Sequence, residues 1–339
     1  MAPIVRLLHA LPLALWIAGA PPGLPVWPAA GGHTLHLPLV ARFSYVEVVV
    51  GHGEALTRAH VGPAAIGITA FGVVHAGGEI RDGETYPFVQ EVNGPATYNG
   101  YTITTPHLLI DGQHIDGGLD FYTTRSVVIR GSLIRPHEGG YWAVHFRGQQ
   151  ALVLYSSIGA ATTEGAPDDP THQISDAISG ETHDSIFVRN LFSMACNMFE
   201  LGGSNIQIVE NLMEDFVYYT DAHLDGVQVG GGDSGYRILR NKIVLNADQT
   251  GAISLFQDWG VNTDFVIDSN YLAGGGYTFY GGAGAFGHST GIIFTNNVFG
   301  RDIWPESGYW GPVAYWDGAG AGNVWANNRF ADGEPLPEP

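Results

Sequence analysis

The chain of 339 residues is poor in several things at once. It has one cysteine, Cys196, so no disulfide can form within it, and cysteine usage says nothing about compartment. In "FSMACNMFE" that cysteine reads as a small buried filler. It has one lysine, Lys242, and only 14 Lys and Arg together against 33 Asp and Glu. The resulting net charge of −19 repels nucleic acid and anionic membranes, and no basic patch or nucleic-acid motif offsets it. After the N-terminal segment no apolar run is long enough to span a bilayer, so membrane insertion is not expected. GxSxG, HExxH and CxxC motifs are missing. The Gly-Gly-Gly runs at 230–232 and 274–276 do not precede helical patterns, which argues against a nucleotide site.

What is abundant is glycine, 48 residues, with aromatics and aliphatics enough for a large core. That balance favours a turn-rich β protein. The start, "MAPIVRLLHALPLALWIAGA", has a basic residue, an apolar run and small residues, the pattern of a secretory signal. Residues 1–30 are therefore expected to be signal peptide and linker, and the protein to be secreted.

From residue 101 a pattern recurs: apolar, any, apolar, two residues, a polar turn residue, any, apolar. It reads "LLIDGQHI", "VVIRGSLI", "LVLYSSIG", "IFVRNLFS", "IQIVENLM", "YRILRNKI", "FVIDSNYL", "IIFTNNVF" and "VWANNRF". The apolar slot is placed at Ile110, Ile129, Leu154, Val188, Ile208, Ile238, Ile267, Phe294 and Trp325. The polar slot is placed at Gln113, Ser132, Ser157, Asn211, Asn241, Asn270, Asn297 and Asn328, with Leu191 as the one departure. Alternation of period two is strand, and Asn or Ser directly after it is turn. Units too small to bury their own face must stack. The pattern predicts an all-β solenoid of parallel strands about 4.8 Å apart, with a ladder of amides along it.

These motifs resemble those of the right-handed parallel β-helix proteins of the pectin lyase-like superfamily, in particular secreted bacterial members. The stretches that carry the resemblance are "TITTPHLLIDGQHIDG", "HLDGVQ" and "GIIFTNNVFGRD" through "GNVWANNRFADGEPLP", between about residues 62 and 337. The resemblance implies a single right-handed parallel β-helix of about nine coils over 101–332. Residues 31–100 would form an N-terminal capping region and 333–339 a disordered tail. It also implies a polysaccharide partner in a groove along one strand face. It leaves the activity open, because the superfamily holds lyases, hydrolases and binding proteins.

A second strand precedes each repeat: "YWAVHFRG", "SDAISGETHD", "ACNMFELGG", "DGVQVGGG", "GAISLFQDWG", "YTFYGG" and "GPVAYWDG". Val227 and Val229 would point inward. The outward stripe would then carry His145 and Arg147, Ser179 and Glu181, Glu200, Asp225 and Gln228, Gln257 and Asp258, Tyr280, and Tyr315 with Asp317, and Trp316 falls near the strand ends. Carboxylates, amides and rings are what sugar hydroxyls and faces bind. Asp225, Glu200 and His223 are the candidate catalytic groups, with Glu200 and Asp225 expected as a carboxylate pair near 5 Å, one strand spacing apart. Arg147, Gln228, His145, Glu181, Gln257, Tyr280 and Trp316 are the candidate substrate contacts. Asp184 and Asp221 could ligate Ca²⁺ through oxygen. Three functions remain open: a glycosidase, a uronate lyase, and a carbohydrate-binding or structural solenoid that cleaves nothing.

Overall fold

A computed structural model of the chain describes residues 50–76, 80–81, 90–94, 96–98, 101–136, 140–160, 174–218 and 222–339. The chain divides into two compact units, Met1–Pro38 and Leu39–Pro339, and every described residue belongs to the second. The signal-peptide segment, "HTLHLPLVARFSYVEVV" and Asp221 lie outside the described residues. No helix among the described residues is long and apolar enough to cross a membrane.

The second unit is all-β, built from long parallel sheets of stacked repeat units, an arrangement compatible with a β-helix. Among the described residues one sheet has ten strands, another sixteen and a third two. The repeat strands pair in register as Ile110, Ile129, Val153, Phe187, Ile208, Ile238, Ile267, Phe294 and Trp325. A second column runs Val144, Ile178, Phe199, Val227, Ile253, Phe279 and Val313. Val227 and Val229 are buried, as their alternation with Gln228 predicts. Together these columns form the core, including the ring stack Phe279, Phe294 and Trp325.

The register corrects the sequence reading at two units. The inward slot is Val153 and Phe187, not Leu154 and Val188, and the polar slot is Ser156 and Asn190, not Ser157 and Leu191. There is then no departure at Leu191. The cause is local. The hairpin Ala96–Tyr98 with Tyr101–Ile103 supplies Tyr101 and Ile103 to a second apolar cluster with Leu152, Leu154, Ile186 and Val188. Both faces of those strands are buried, so alternation disappears and no longer fixes which residue points in.

Each turn is made the same way. The residue before the polar slot takes a left-handed backbone: Gly112, Gly131, Tyr155, Arg189, Glu210, Arg240, Ser269, Asn296 and Asn327. The slot residue then hydrogen-bonds along the stack. Asn190 Nδ2 donates to Asn211 Oδ1 at 3.0 Å, Asn211 to Asn241 at 3.1 Å, Asn241 to Asn270 at 3.0 Å and Asn270 to Asn297 at 3.0 Å. The turn places one residue per unit in a conformation that L-residues resist, and the ladder offsets that cost with buried hydrogen bonds.

The region before residue 101 does two things. Val74–Ala76 and Ile80–Arg81 pair with His114–Asp116 and Leu119–Asp120, and Gln90–Val92 closes the sheet end antiparallel to His107–Asp111. Residues 50–72 instead run along the turns, opposite to the order of the units. His52 Nε2 meets Asn296 O at 2.8 Å, Gly53 N donates to Ser269 O at 2.8 Å, Gly62 N to Arg189 O at 2.9 Å and Gly72 N to Gly112 O at 2.8 Å. Arg58 pairs with Asp215 at 2.7 Å on the way. Residues 333–339, expected as a disordered tail, contact the last unit: Leu336 N donates to Asn328 O at 2.9 Å and Leu336 O accepts from Trp325 Nε1 at 3.0 Å.

Candidate functional site

The strands that precede the repeats carry an outward column in register: His145, Ser179, Glu200, Gln228, Ser254, Tyr280 and Ala314. Neighbours in it stand about 4.8 Å apart, the strand spacing. Three of its members, Ser179, Glu200 and Gln228, form the floor of a cleft of about 450 Å³. Its walls come from Gly180, Leu201, Gly202, Gly230, Gly231, Asp233, Asp258 and Trp259. Trp259 is 82% exposed at the rim. Among the described residues that line the cleft there are three acids and no Lys, Arg or His.

The sequence-expected pair does not form as anticipated. Glu200 registers with Gln228, whereas Asp225 N–H bonds Asn197 Oδ1 at 2.9 Å, three residues earlier on Glu200's strand. Asp225 is wholly buried and does not line the cleft. Its Oδ1 accepts from Ser254 Oγ and from Gly251 N. Burial raises its carboxyl to about 7, against the pull of the Ser254 and Gly251 hydrogen bonds, and the charge of Glu200 adds to the rise. Strand direction explains the misplacement. Asp225 lies before the strand Val227–Val229 begins, at the corner where the chain enters the face.

Glu200's acidic neighbour is instead Asp176, which the sequence reading passed over. Asp176 registers with Asn197 and accepts from its Nδ2 at 3.0 Å. Burial raises the Asp176 carboxyl to about 7; Glu200 raises it further through its charge and by accepting its hydrogen bond, against Asn197 and Ser179. Asp176 therefore holds its proton next to Glu200. A signal existed in the sequence: Asp176, Asn197 and Asp225 each stand three residues before Ser179, Glu200 and Gln228. Asp233 was missed too. It lines the cleft with both oxygens engaged, by Gly203 N at 2.7 Å and Gly231 N at 3.2 Å, and burial raises its carboxyl.

The remaining candidates separate. Arg147 is bidentate on buried Asp120, at 2.9 and 2.8 Å, and lies over the Tyr122 ring. His145 stacks on Trp142 with centroids 4.3 Å apart, and burial lowers its pKa. Gln257 spends its amide on the loop after the Tyr280 strand, donating to Gly282 O and Gly287 O and accepting from Phe286 N. Ser254 takes the stripe position expected for it. Tyr280 stacks with Tyr315 at 6.1 Å. Trp316 packs against Phe279 and Trp325 and donates to Glu338 at 2.9 Å, so it covers the core edge. His223 is exposed, with no hydrogen bond to a described residue. Glu181 contacts His183. Asp184 Oδ1 accepts from Asn205 Nδ2 at 3.0 Å. Among the described residues no three His, Cys, Asp or Glu converge as metal ligands.

Asp225 makes stability depend on pH. Its folded carboxyl titrates at about 7 and an unfolded one at about 3.9. The folded state thus holds the extra proton between those values, and stability falls as pH rises through that window. Asp225→Asn mimics the protonated acid: its Oδ1 can still accept from Ser254 and Gly251. Thermal unfolding at pH 5 and pH 8 is expected to show a smaller loss in the variant, by on the order of 1–4 kcal/mol. An unchanged pH dependence would place the Asp225 titration elsewhere.

Compared with protein-family models, curated proteins and solved structures, the chain matches none of them.

Proposed function

We propose that the chain is a secreted right-handed parallel β-helix of about nine coils, of the pectin lyase-like kind. We read its cleft as the place where a polysaccharide of low charge is hydrolysed. The observation that carries the reading is Glu200 at the floor of a cleft whose described lining holds no cation, with the buried Asp176 carboxyl interacting with it from behind. Asp176, buried behind Glu200, is the member that holds its proton to about pH 7. Glu200, the member that reaches the cleft, delivers that proton to the leaving glycosidic oxygen, and Asp176 supplies it from behind. Asp258, exposed on the wall, has no side-chain bond to a described residue and serves as the carboxylate that activates water. Gln228 hydrogen-bonds hydroxyls, and Trp259 offers a face to a sugar ring.

A lyase acting on uronates fits less well. It needs a cation to neutralise the substrate carboxylate, and Arg147 is already committed to Asp120. Incubation with a panel of neutral and uronate polysaccharides, with and without Ca²⁺, separates the classes. New reducing ends without ultraviolet absorbance are expected, on neutral glycans. Absorbance with the reducing ends would mean elimination. Retention on a glycan with no product would favour the binding reading, to which the exposed Trp259 also lends itself.

A further inference from the structure

A second constellation stands at the corner beside the cleft. His183 and Ser204 lie opposite each other on neighbouring strands. His183 Nδ1 is 3.0 Å from Ser204 Oγ, and its Nε2 is 3.2 Å from Glu181 Oε1. The residues that follow, Asp184 and Asn205, both have left-handed backbones, with φ of 50° and 56°, and are tied side chain to side chain. The two strands thus turn the corner together, and His183 and Ser204 stay side by side. Gly203 makes the approach possible. A Cβ there would stand 1.9 Å from Thr182 O and 3.3 Å from His183 Nδ1.

We propose that Ser204, His183 and Glu181 form a nucleophilic triad that hydrolyses short-chain acyl esters. With the ring proton on Nε2, 3.2 Å from Glu181 Oε1, Nδ1 presents its lone pair to the Ser204 hydroxyl. Ser204 Oγ bonds to the acyl carbonyl carbon while its proton passes to Nδ1. Collapse breaks the bond between that carbon and the alcohol oxygen, and the alcohol leaves with the proton from His183. Water then attacks the acyl-Ser204 carbon, gives a proton to His183, and the carboxylic acid departs as Oγ recovers that proton. The His183 and Glu181 side chains are 44% and 63% exposed, open to an incoming ester. The site adjoins the cleft: Gly203 N donates to Asp233, which lines it. A sugar O-acyl group on a bound glycan is then the ester at hand. That choice of alcohol rests on the glycan reading of the cleft; the ester cleavage does not.

The test treats the full-length protein with a fluorophosphonate and follows p-nitrophenyl acetate hydrolysis. One phosphonyl adduct is expected, on Ser204 by peptide mass. Ser204→Ala is expected to abolish it and to lower hydrolysis about a hundredfold or more, with His183→Ala close behind. Ser204→Ala should unfold at the wild-type temperature and leave glycan cleavage intact, while Glu200→Gln should leave ester hydrolysis intact. The two sites therefore fail separately. No adduct on Ser204, or equal hydrolysis in folded Ser204→Ala, overturns the proposal.

Discussion

Glu200→Gln is expected to lower the rate of glycan cleavage by about 10²–10⁴-fold while glycan retention changes little. The substitution keeps the length and shape of the side chain and removes the group that carries the shared proton into the cleft. Gln228, Trp259 and the glycine walls that would hold the substrate are untouched. A loss confined to turnover is what removal of an acid does, whereas Gln228→Ala should raise KM with a smaller change in kcat. Initial rates of reducing-end release, set beside retention on an immobilised glycan, distinguish these cases. Wild-type turnover in Glu200→Gln would exclude Glu200 from the chemistry. Asp176→Asn should act more gently. It removes the buried carboxyl that holds a proton behind Glu200, and the alkaline limb of the rate profile is expected to move to lower pH.

Asn241→Leu is expected to destabilise the protein by about 3–5 kcal/mol without opening a cavity. Asn241 is wholly buried. Its Oδ1 accepts from Asn211 N at 2.9 Å and from Asn211 Nδ2 at 3.1 Å. Its Nδ2 donates to Ile208 O at 2.8 Å and to Asn270 Oδ1 at 3.0 Å. Leucine fills a similar volume, so the cost falls on four buried polar partners, which water cannot reach. The neighbouring turn residue Arg240 is left-handed. Chemical denaturation measures the loss; alanine at exposed Gln249 should stay within about 0.5 kcal/mol. An Asn241→Leu protein of wild-type stability would mean that the amide ladder follows from the stacking and does not hold it.

The fold was legible wherever one face of a strand is dry and the other wet. At Ile208, Ile238 and Ile267 the alternation and the following Asn place every residue correctly. It fails at Leu154 and Val188 because the hairpin around Tyr101 dries the outer face, a tertiary event with no local trace. The site was legible in part for a related reason. His145, Glu200, Gln228 and Tyr280 share one outward column because each sits mid-strand, where parity holds. Asp225 and Asp176 sit before the corner, where the chain bends and parity resets. Cys196 and Met198, then Phe199, all turn inward there. Asp176 became a candidate only once its carboxyl was seen against Glu200. The strap over the turns, residues 50–72, carries no periodic pattern, and its partners are up to 275 residues away, as for Glu54 and Arg329.

The measurement that bears most directly on the proposed chemistry is an infrared titration of the protein's carboxyl groups, in wild type, Asp176→Asn and Asp225→Asn. Signal from protonated carboxyl is expected to persist to about pH 7 in the wild type and to diminish in each variant. Complete ionisation of the wild-type carboxyls by about pH 5, close to the ordinary range for Asp and Glu, would contradict it, because Asp176 would then have no proton to pass toward the cleft at neutral pH.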